Sequence, residues 1–394
     1  MERRRSTQLL LISTSHGMNH VYQLLIPIII PRIADEYQLS TLTAGILISV
    51  FSLSYALLQI FSGFLSRLMG RKNMIIVGIV ITSISFFILG FVDNILLFAF
   101  VLFVAGMGGS TYHPNGMPLL SEFYKENRGQ AAGFHQAGGS LGSIIAPLVI
   151  GPLVFFMNWR LTVTVLSFPG LVLSAILWLL VVEPERQIAK KPELTVGESK
   201  RTSLKMYSSS LVFIAASVIY VLGLRGVDSF AVLYFQRGRG IENFVEATFI
   251  FSTFKMAGLF SGPLCGKLSD IFGRKKAISV LVCIESVSIY ALTVVPNSIL
   301  VIPCIVFGFA SFGLLAVTDA FLADLTPEEY MSTVYGLHFT MSFLTQVIIP
   351  PVFGIIVDYS KSFDTGFIVL SAIIPLSLPI LLKVQAKPAA ANDD

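Results

Sequence analysis

The 394-residue chain is 54% hydrophobic and only 13% charged, roughly half the charged share of a soluble globular protein, which excludes an ordinary soluble domain. Its apolar residues run without alternation, as from Ile144 to Ile150, so they do not fit the alternating strands of about 10 residues that build an outer-membrane barrel. The net charge of +4 is spread through short loops, and no nucleic-acid partner is expected.

Apolar runs of about 20 residues suffice to cross a hydrocarbon core of about 30 Å as helices rising 1.5 Å per residue. Twelve such spans are predicted, at 8–31, 41–65, 73–92, 95–121, 130–157, 161–182, 208–236, 246–268, 277–295, 298–322, 332–358 and 364–382, numbered 1 to 12 in chain order. The chain begins like a signal peptide, with Arg3, Arg4 and Arg5 before Leu9. The apolar stretch continues to Ile30 with no small-residue cleavage site, so span 1 is read as retained. The longest polar stretch, Glu183 to Tyr207, divides the chain into six spans and six. We therefore expect an N-terminal bundle over 1–182, a linker over 183–207 and a C-terminal bundle over 208–394.

Loops and span ends on the side of both termini hold 20 Lys and Arg residues, and those on the other side hold 5. By the positive-inside rule both termini and the linker are cytoplasmic, in an inner or plasma membrane, with the lipid bilayer as a partner. Cys265, Cys283 and Cys304 all fall within spans, where they read as packing residues and leave neither a disulfide framework nor a zinc ribbon.

The two halves repeat. Gly63-Phe64-Leu65-Ser66-Arg67-Leu68-Met69-Gly70-Arg71-Lys72 after span 2 recurs after span 8 as Gly266-Lys267-Leu268-Ser269-Asp270-Ile271-Phe272-Gly273-Arg274-Lys275, an offset of 203. His16-Gly17-Met18-Asn19 in span 1 corresponds to Arg225-Gly226-Val227-Asp228 in span 7, and Gly133-Phe134-His135 in span 5 to Gly336-Leu337-His338 in span 11, at offsets of 209 and 203. Matches in nearly constant register predict an all-α membrane protein of two pseudo-symmetric six-helix bundles around a shared axis, with solute passing between them.

The repeated loop resembles the signature of the major facilitator superfamily, and the resemblance covers the whole chain. Ser15-His16-Gly17-Met18-Asn19 with Pro27 and Glu36, Gly108-Gly109-Ser110-Thr111-Tyr112-His113-Pro114, and Gln136 to Ser143 before Pro147 are similar to the fosmidomycin-resistance group of exporters within it. The resemblance implies that spans 1, 4, 7 and 10 line a central cavity, that 2, 5, 8 and 11 flank it, and that 3, 6, 9 and 12 face lipid. The family loop carries an Asp four residues after its first Gly. Here that position is Arg67 in the first half and Asp270 in the second, so the acidic latch between spans 2 and 11 that the family implies lacks its acid. Arg71 and Lys72 are placed to meet helix ends or lipid phosphates.

Setting aside the two residues at either end of each span, ten Lys, Arg, His, Asp and Glu side chains lie within the spans: His16, His20, His113, His135, Arg225, Asp228, Lys255, Glu285, Asp319 and His338. A charge at mid-bilayer costs about 2.5–3.5 kcal/mol on insertion scales, so such groups face protein or a wet cavity. Nine of the ten fall on lining or flanking spans. Glu285, on span 9, reads instead as snorkelling or bonding to a neighbouring helix. His16, Asn19, His20 and Gln23 share one face of span 1. Together with His113, His135, Arg225, Lys255 and His338 they are the expected substrate-binding residues, and plain hydrogen bonding between helices is the competing reading for the histidines. The His-x-x-x-His spacing also suits a transition metal, but no thiolate or carboxylate lies nearby in sequence, so no metal is expected.

Arg225 and Asp228, at i and i+3, are close enough to pair. Asp228 and Asp319 are the expected proton carriers, and a packing ion pair is the competing reading. Lys255 is expected to pair with Asp228, Asp319 or substrate. Gly142-x-x-x-Ala146-Pro147 resembles a degraded form of the antiporter motif of span 5. Gly138-Gly139-Ser140-Leu141-Gly142 matches the hydrolase nucleophile elbow only as a string, because Ser140 sits in an apolar helix and not on a strand-to-helix turn. The loop residues Gly63, Arg67, Gly70, Arg71, Lys72, Gly266, Asp270, Gly273, Arg274 and Lys275 are expected to gate.

The chain therefore reads as no enzyme and as needing no cofactor. We expect a monomeric, proton-coupled secondary transporter moving a small anionic or zwitterionic solute or drug by alternating access, with efflux by antiport as the expected direction. Proton-coupled uptake of an organic anion is the alternative, ahead of a metal-ion transporter or a membrane hydrolase. No nucleotide-binding motif offers ATP as the energy source.

Overall fold

The computed structural model describes residues 2–124, 127–183, 208–327 and 330–385; among them the chain is helical, with no strand. Every predicted span is present. Spans 1 to 3 are Glu2–Glu36, Thr41–Met69 and Arg71–Leu89; spans 5 and 6 are Arg128–Met157 and Trp159–Leu180. Span 7 is Ser208–Leu233 continued by a π-helical turn, Tyr234–Gly238, and spans 8 to 11 are Phe244–Phe272, Arg274–Val294, Val301–Leu325 and Met331–Ser360. Span 12 is Phe363–Ile373, a 3₁₀ turn over Ile374–Leu376, and Ser377–Leu382. Apart from Glu183, the predicted linker lies outside the described residues.

Two boundaries differ from expectation for identifiable reasons. Span 1 begins at Glu2 instead of residue 8, because a helix need not end where its apolar surface does. Span 4 is two helices, Ile95–Gly109 and Tyr112–Phe123. Pro114 lacks an N–H and its ring crowds the carbonyl four residues back, that of Ser110, where the helix breaks.

Among the described residues, ten helices are long and apolar enough to cross a membrane. Glu2–Glu36 and Phe244–Phe272 stand outside that set although they are 35 and 29 residues long. They carry His16, Asn19, His20, Gln23 and Lys255, polar groups that lower the apolar character of both helices.

The two halves pack alike. Span 1 lies on span 5 as span 7 lies on span 11; span 3 pairs with 6 as 9 does with 12, and span 2 with 4 as 8 does with 10. Spans 1 and 5 approach through Gly17, Gly138 and Gly142: a Cβ on Gly142 would lie 2.1 Å from the Gly17 carbonyl oxygen, so only glycine permits the crossing. The repeated loop also has a structural explanation. Gly70 and Gly273, at φ +92° and +93°, end spans 2 and 8 in a conformation that L side chains rarely adopt. Beyond them, Arg71 pairs with Glu122 at the end of span 4, and Arg274 pairs with Asp324 at the end of span 10 (3.0 Å). The Lys72 ammonium donates to the Trp178 carbonyl (2.8 Å), and that of Lys275 to the Val384 carbonyl.

Between the halves, close contact occurs on the side away from the termini, called distal here. Thr41 and Leu42 donate their backbone N–H groups to the Asp358 carboxylate, both at 2.9 Å. Ser49 donates to the Val347 carbonyl (2.6 Å), Arg237 pairs with Asp35 (2.6 Å), and Arg32 lies over the Phe244 ring. A Cβ on Gly45 would come within 2.3 Å of the Pro350 carbonyl oxygen, and one on Gly151 within 1.9 Å of Thr248 Oγ1. Toward the termini the same spans diverge. A Cβ on Gly129 or Gly133 of span 5, Gly266 of span 8 or Gly336 of span 11 would meet nothing within 4 Å. Among the described residues, the halves meet distally and part toward the termini.

Candidate functional site

Near the middle of the bundles lies a cavity of about 210 Å³ bordered by His20, Gln23, Arg225, Asp228, Lys255 and Gln346. Spans 1, 7, 8 and 11 supply these groups, so both halves contribute.

On the side of the second half, Lys255 forms an ion pair with Asp228; their side chains are 4% and 20% exposed. The ammonium sits among Phe251, Phe254 and Phe312, 4.4 Å from the centre of the Phe254 ring. Such surroundings leave Asp228 as its anionic partner, and a buried charge without one costs several kcal/mol. The pairing expected between Arg225 and Asp228 is corrected here. Asp228 turns to span 8 instead, because Lys255 is more deeply removed from water than Arg225. Arg225 makes no ion pair or side-chain hydrogen bond among the described residues, and its buried Nε has no partner. It borders the cavity as an unpaired cation.

The side of the first half is built from uncharged hydrogen-bonding groups. Asn19 donates to the Gly109 carbonyl (3.0 Å) and accepts at Oδ1 from Gln23 (2.6 Å) and the Tyr55 hydroxyl (3.2 Å). His16 Nδ1 meets the His135 carbonyl oxygen at 2.8 Å, and its Nε2 lies 3.2 Å from His20 Nε2. Tyr112 donates to the Ile12 carbonyl (2.5 Å), so its oxygen receives the N–H of His135 Nε2 at 3.0 Å. His113 packs edge-on to His16, with ring centres 5.2 Å apart.

The other expected residues stand elsewhere. His338 is buried between spans 7 and 11, with Nδ1 3.4 Å from Ser217 Oγ. Asp319 is exposed, makes no ion pair among the described residues, and does not border the central cavity. Glu285 is buried and accepts from Ser311 on span 10 at 2.7 Å, the interhelical bond expected of it. Asp270 pairs with Arg274 in its own loop (2.5 Å), and Arg67 is exposed on the last turn of span 2. The Asp270 pair lies within one half and builds no latch across the two.

Sequence reasoning passed over Tyr55, Tyr112 and Gln346. Counting ionisable groups could not find them. Gln346, an amide within an apolar span, carried a signal of its own, whereas Tyr55 and Tyr112 look like ordinary amphipathic packing residues.

Comparison with known proteins agrees with this architecture. The chain matches the Major Facilitator Superfamily over residues 11–350 and 246–394. It is 25% identical over 375 residues to Multidrug resistance protein 2 of Bacillus subtilis (strain 168), covering 93% of each chain. It is also 25% identical over 382 residues to the probable galactarate/D-glucarate transporter GudP of the same organism, covering 86% of this chain and 83% of that one. Among solved structures, a bacterial homolog to the human lysosomal transporter Spinster, inward-facing and unoccupied, superposes with a TM-score of 0.84 at 17% identity, covering 99% of this chain and 100% of that one. Twelve spans in two repeated bundles, the paired loop signature and the family match over most of its length make this chain a member of the Major Facilitator Superfamily, a multi-pass membrane transporter and not an enzyme.

Proposed function

We propose that the protein is a proton-coupled transporter of a small organic anion, working by alternating access in a plasma or inner membrane with both termini in the cytoplasm. In that orientation the structure is inward-facing, with 1–182 and 208–394 as the two moving bodies. The carrying observation is Arg225: a cation bordering the cavity whose nearest acid in sequence, Asp228, is taken by Lys255. A carboxylate or phosphonate on the solute supplies the missing partner.

The Lys255–Asp228 pair sets the sign of the coupling. Protonating Asp228 releases Lys255 to join Arg225 at the anion, and loss of that proton restores the pair and weakens the anion's hold. Proton and anion therefore load together, the linkage of cotransport. Resemblance to a multidrug resistance protein favours a second reading, export by exchange. Exchange requires solute and proton to compete, which a zwitterion achieves when its ammonium group pairs with the Asp228 carboxylate. Galactarate, the kind of diacid named for a relative, serves as the probe.

In proteoliposomes, an outside-acid pH gradient should accumulate labelled galactarate and acidify the lumen as it enters. Alkalinisation of the lumen during solute uptake would select exchange. Unchanged accumulation after proton ionophore, with sodium absent, would overturn proton coupling altogether.

A further inference from the structure

We propose that His16, His20 and His113 form a binding site for one divalent transition-metal ion of the zinc class, a site that does not depend on the identity of the transported solute. The three residues come from two different elements, span 1 and the second helix of span 4, which is why the sequence showed only two of them. One ring nitrogen from each lies within 4.8 Å of the others. The spacing between His16 Nε2 and His20 Nε2 is 3.2 Å, close to the edge of roughly 3.3–3.4 Å that a tetrahedron with Zn–N bonds of about 2.0–2.1 Å implies. His113 offers the third corner, its ring nitrogen within 4.8 Å of the other two, and closes on the ion as it binds.

The supporting shell also has the form that a metal-bound imidazole needs. His16 Nδ1 faces the His135 carbonyl oxygen at 2.8 Å, an acceptor only, so Nδ1 carries the proton and Nε2 presents its lone pair toward His20. The His135 side chain is engaged by Tyr112 and buttresses the site from outside the ligand set. Gly139 is part of the same construction: a Cβ there would lie 2.6 Å from His16 Cε1, so the glycine leaves room for the ring. Three neutral imidazoles with one open position suit a borderline ion such as Zn²⁺ or Co²⁺ better than Mg²⁺ or Ca²⁺, which take oxygen. His20 borders the cavity that also holds Arg225 and Lys255, and a water or an anion there completes the coordination.

The test uses the full chain, purified without a polyhistidine tag, stripped with chelator and titrated with cobalt(II) in detergent. The expected result is the visible absorption of tetrahedral cobalt at one ion per chain, displaced by zinc. His20→Gln and His113→Gln should each weaken binding at least about tenfold, while His338→Gln and Cys283→Ser leave it unchanged. In the unmodified protein, zinc should protect His20 and His113 from diethylpyrocarbonate, read by mass spectrometry, which does not depend on the variants folding. No cobalt spectrum, or a spectrum that survives the double His20→Gln/His113→Gln variant, would overturn the site. Unchanged histidine modification in the presence of zinc would do the same.

Discussion

The two walls of the cavity occupy corresponding places in the repeat but are built from opposite chemistry. In the first half Asn19 of span 1 is held by Tyr55 of span 2; in the second, Asp228 of span 7 is held by Lys255 of span 8. One scaffold thus presents an uncharged hydrogen-bonding wall on one side and an ion pair with a spare cation on the other. The neutral wall keeps the same partners at any pH where its side chains stay neutral. Under the proposed function the charged wall changes partners with a single proton, which would assign coupling to the second half and solute orientation to the first.

Breaking the charged wall at Lys255 should have the largest effect. Lys255→Ala strands Asp228 without its cation, and removing one partner of a buried pair destabilises by about 3–5 kcal/mol. We expect a lower thermal midpoint in detergent and no transport. The double variant Lys255→Ala/Asp228→Ala should recover most of the midpoint while remaining inactive. A single variant as stable as the parent would show that the pair is not buried as described.

Asp228→Asn makes the second half resemble the first, since Asn19 already holds the equivalent place. It mimics the protonated acid permanently, so anion exchange across the membrane should continue while uphill accumulation is lost. Full proton-driven accumulation in this variant would transfer the proton to another group. Arg225→Gln should act on binding alone: solute affinity should fall at least about tenfold, the loss of one charge-assisted contact, with thermal stability equal to the parent's or higher because Arg225 has no partner to lose. Parent-like affinity would remove the anion from the reading.

The fold was readable because its signals are local and repeated: twelve apolar runs, two copies of one loop, and glycines where the backbone takes positive φ. Those signals depend on composition and spacing along one helix. The site was readable only in part because its partners lie on different helices. Sequence placed Arg225 and Asp228 one turn apart and suggested a pair, but burial of Lys255 among phenylalanines outweighed proximity along span 7. Span 1 showed His16 and His20 on one face, yet the arrival of His113 depends on where the break at Ser110 directs the second helix of span 4. Asp319 looked equal to Asp228 along the chain and differs only in where its helix places it.

A second comparison concerns the distal closure, where the smallest effect is expected. Spans 5 and 8 close through contact, with Gly151 against Thr248, and Asn243 of span 8 caps its own helix (2.9 and 3.2 Å). Their counterparts, spans 11 and 2, close through charge as well: Asp358 reaches across to the first backbone N–H groups of span 2, the positive end of a helix dipole. One seam is steric and the other is partly electrostatic. Asp358→Ala removes a carboxylate cap worth about 0.5–2 kcal/mol, and that energy is present only when the halves meet distally. The expected consequence is a shift of the resting equilibrium toward distal opening by about 2- to 30-fold, with little loss of overall stability. A cysteine introduced at Ser49, which faces the Val347 carbonyl across the seam, reports the shift through its rate of labelling by a membrane-impermeant maleimide. Asp358→Asn keeps an acceptor oxygen and should fall between the parent and Asp358→Ala. Equal labelling in all three proteins would mean that the seam is held without help from charge by packing at Gly45 and at Gly354, where a Cβ would lie 2.5 Å from Leu42 Cα.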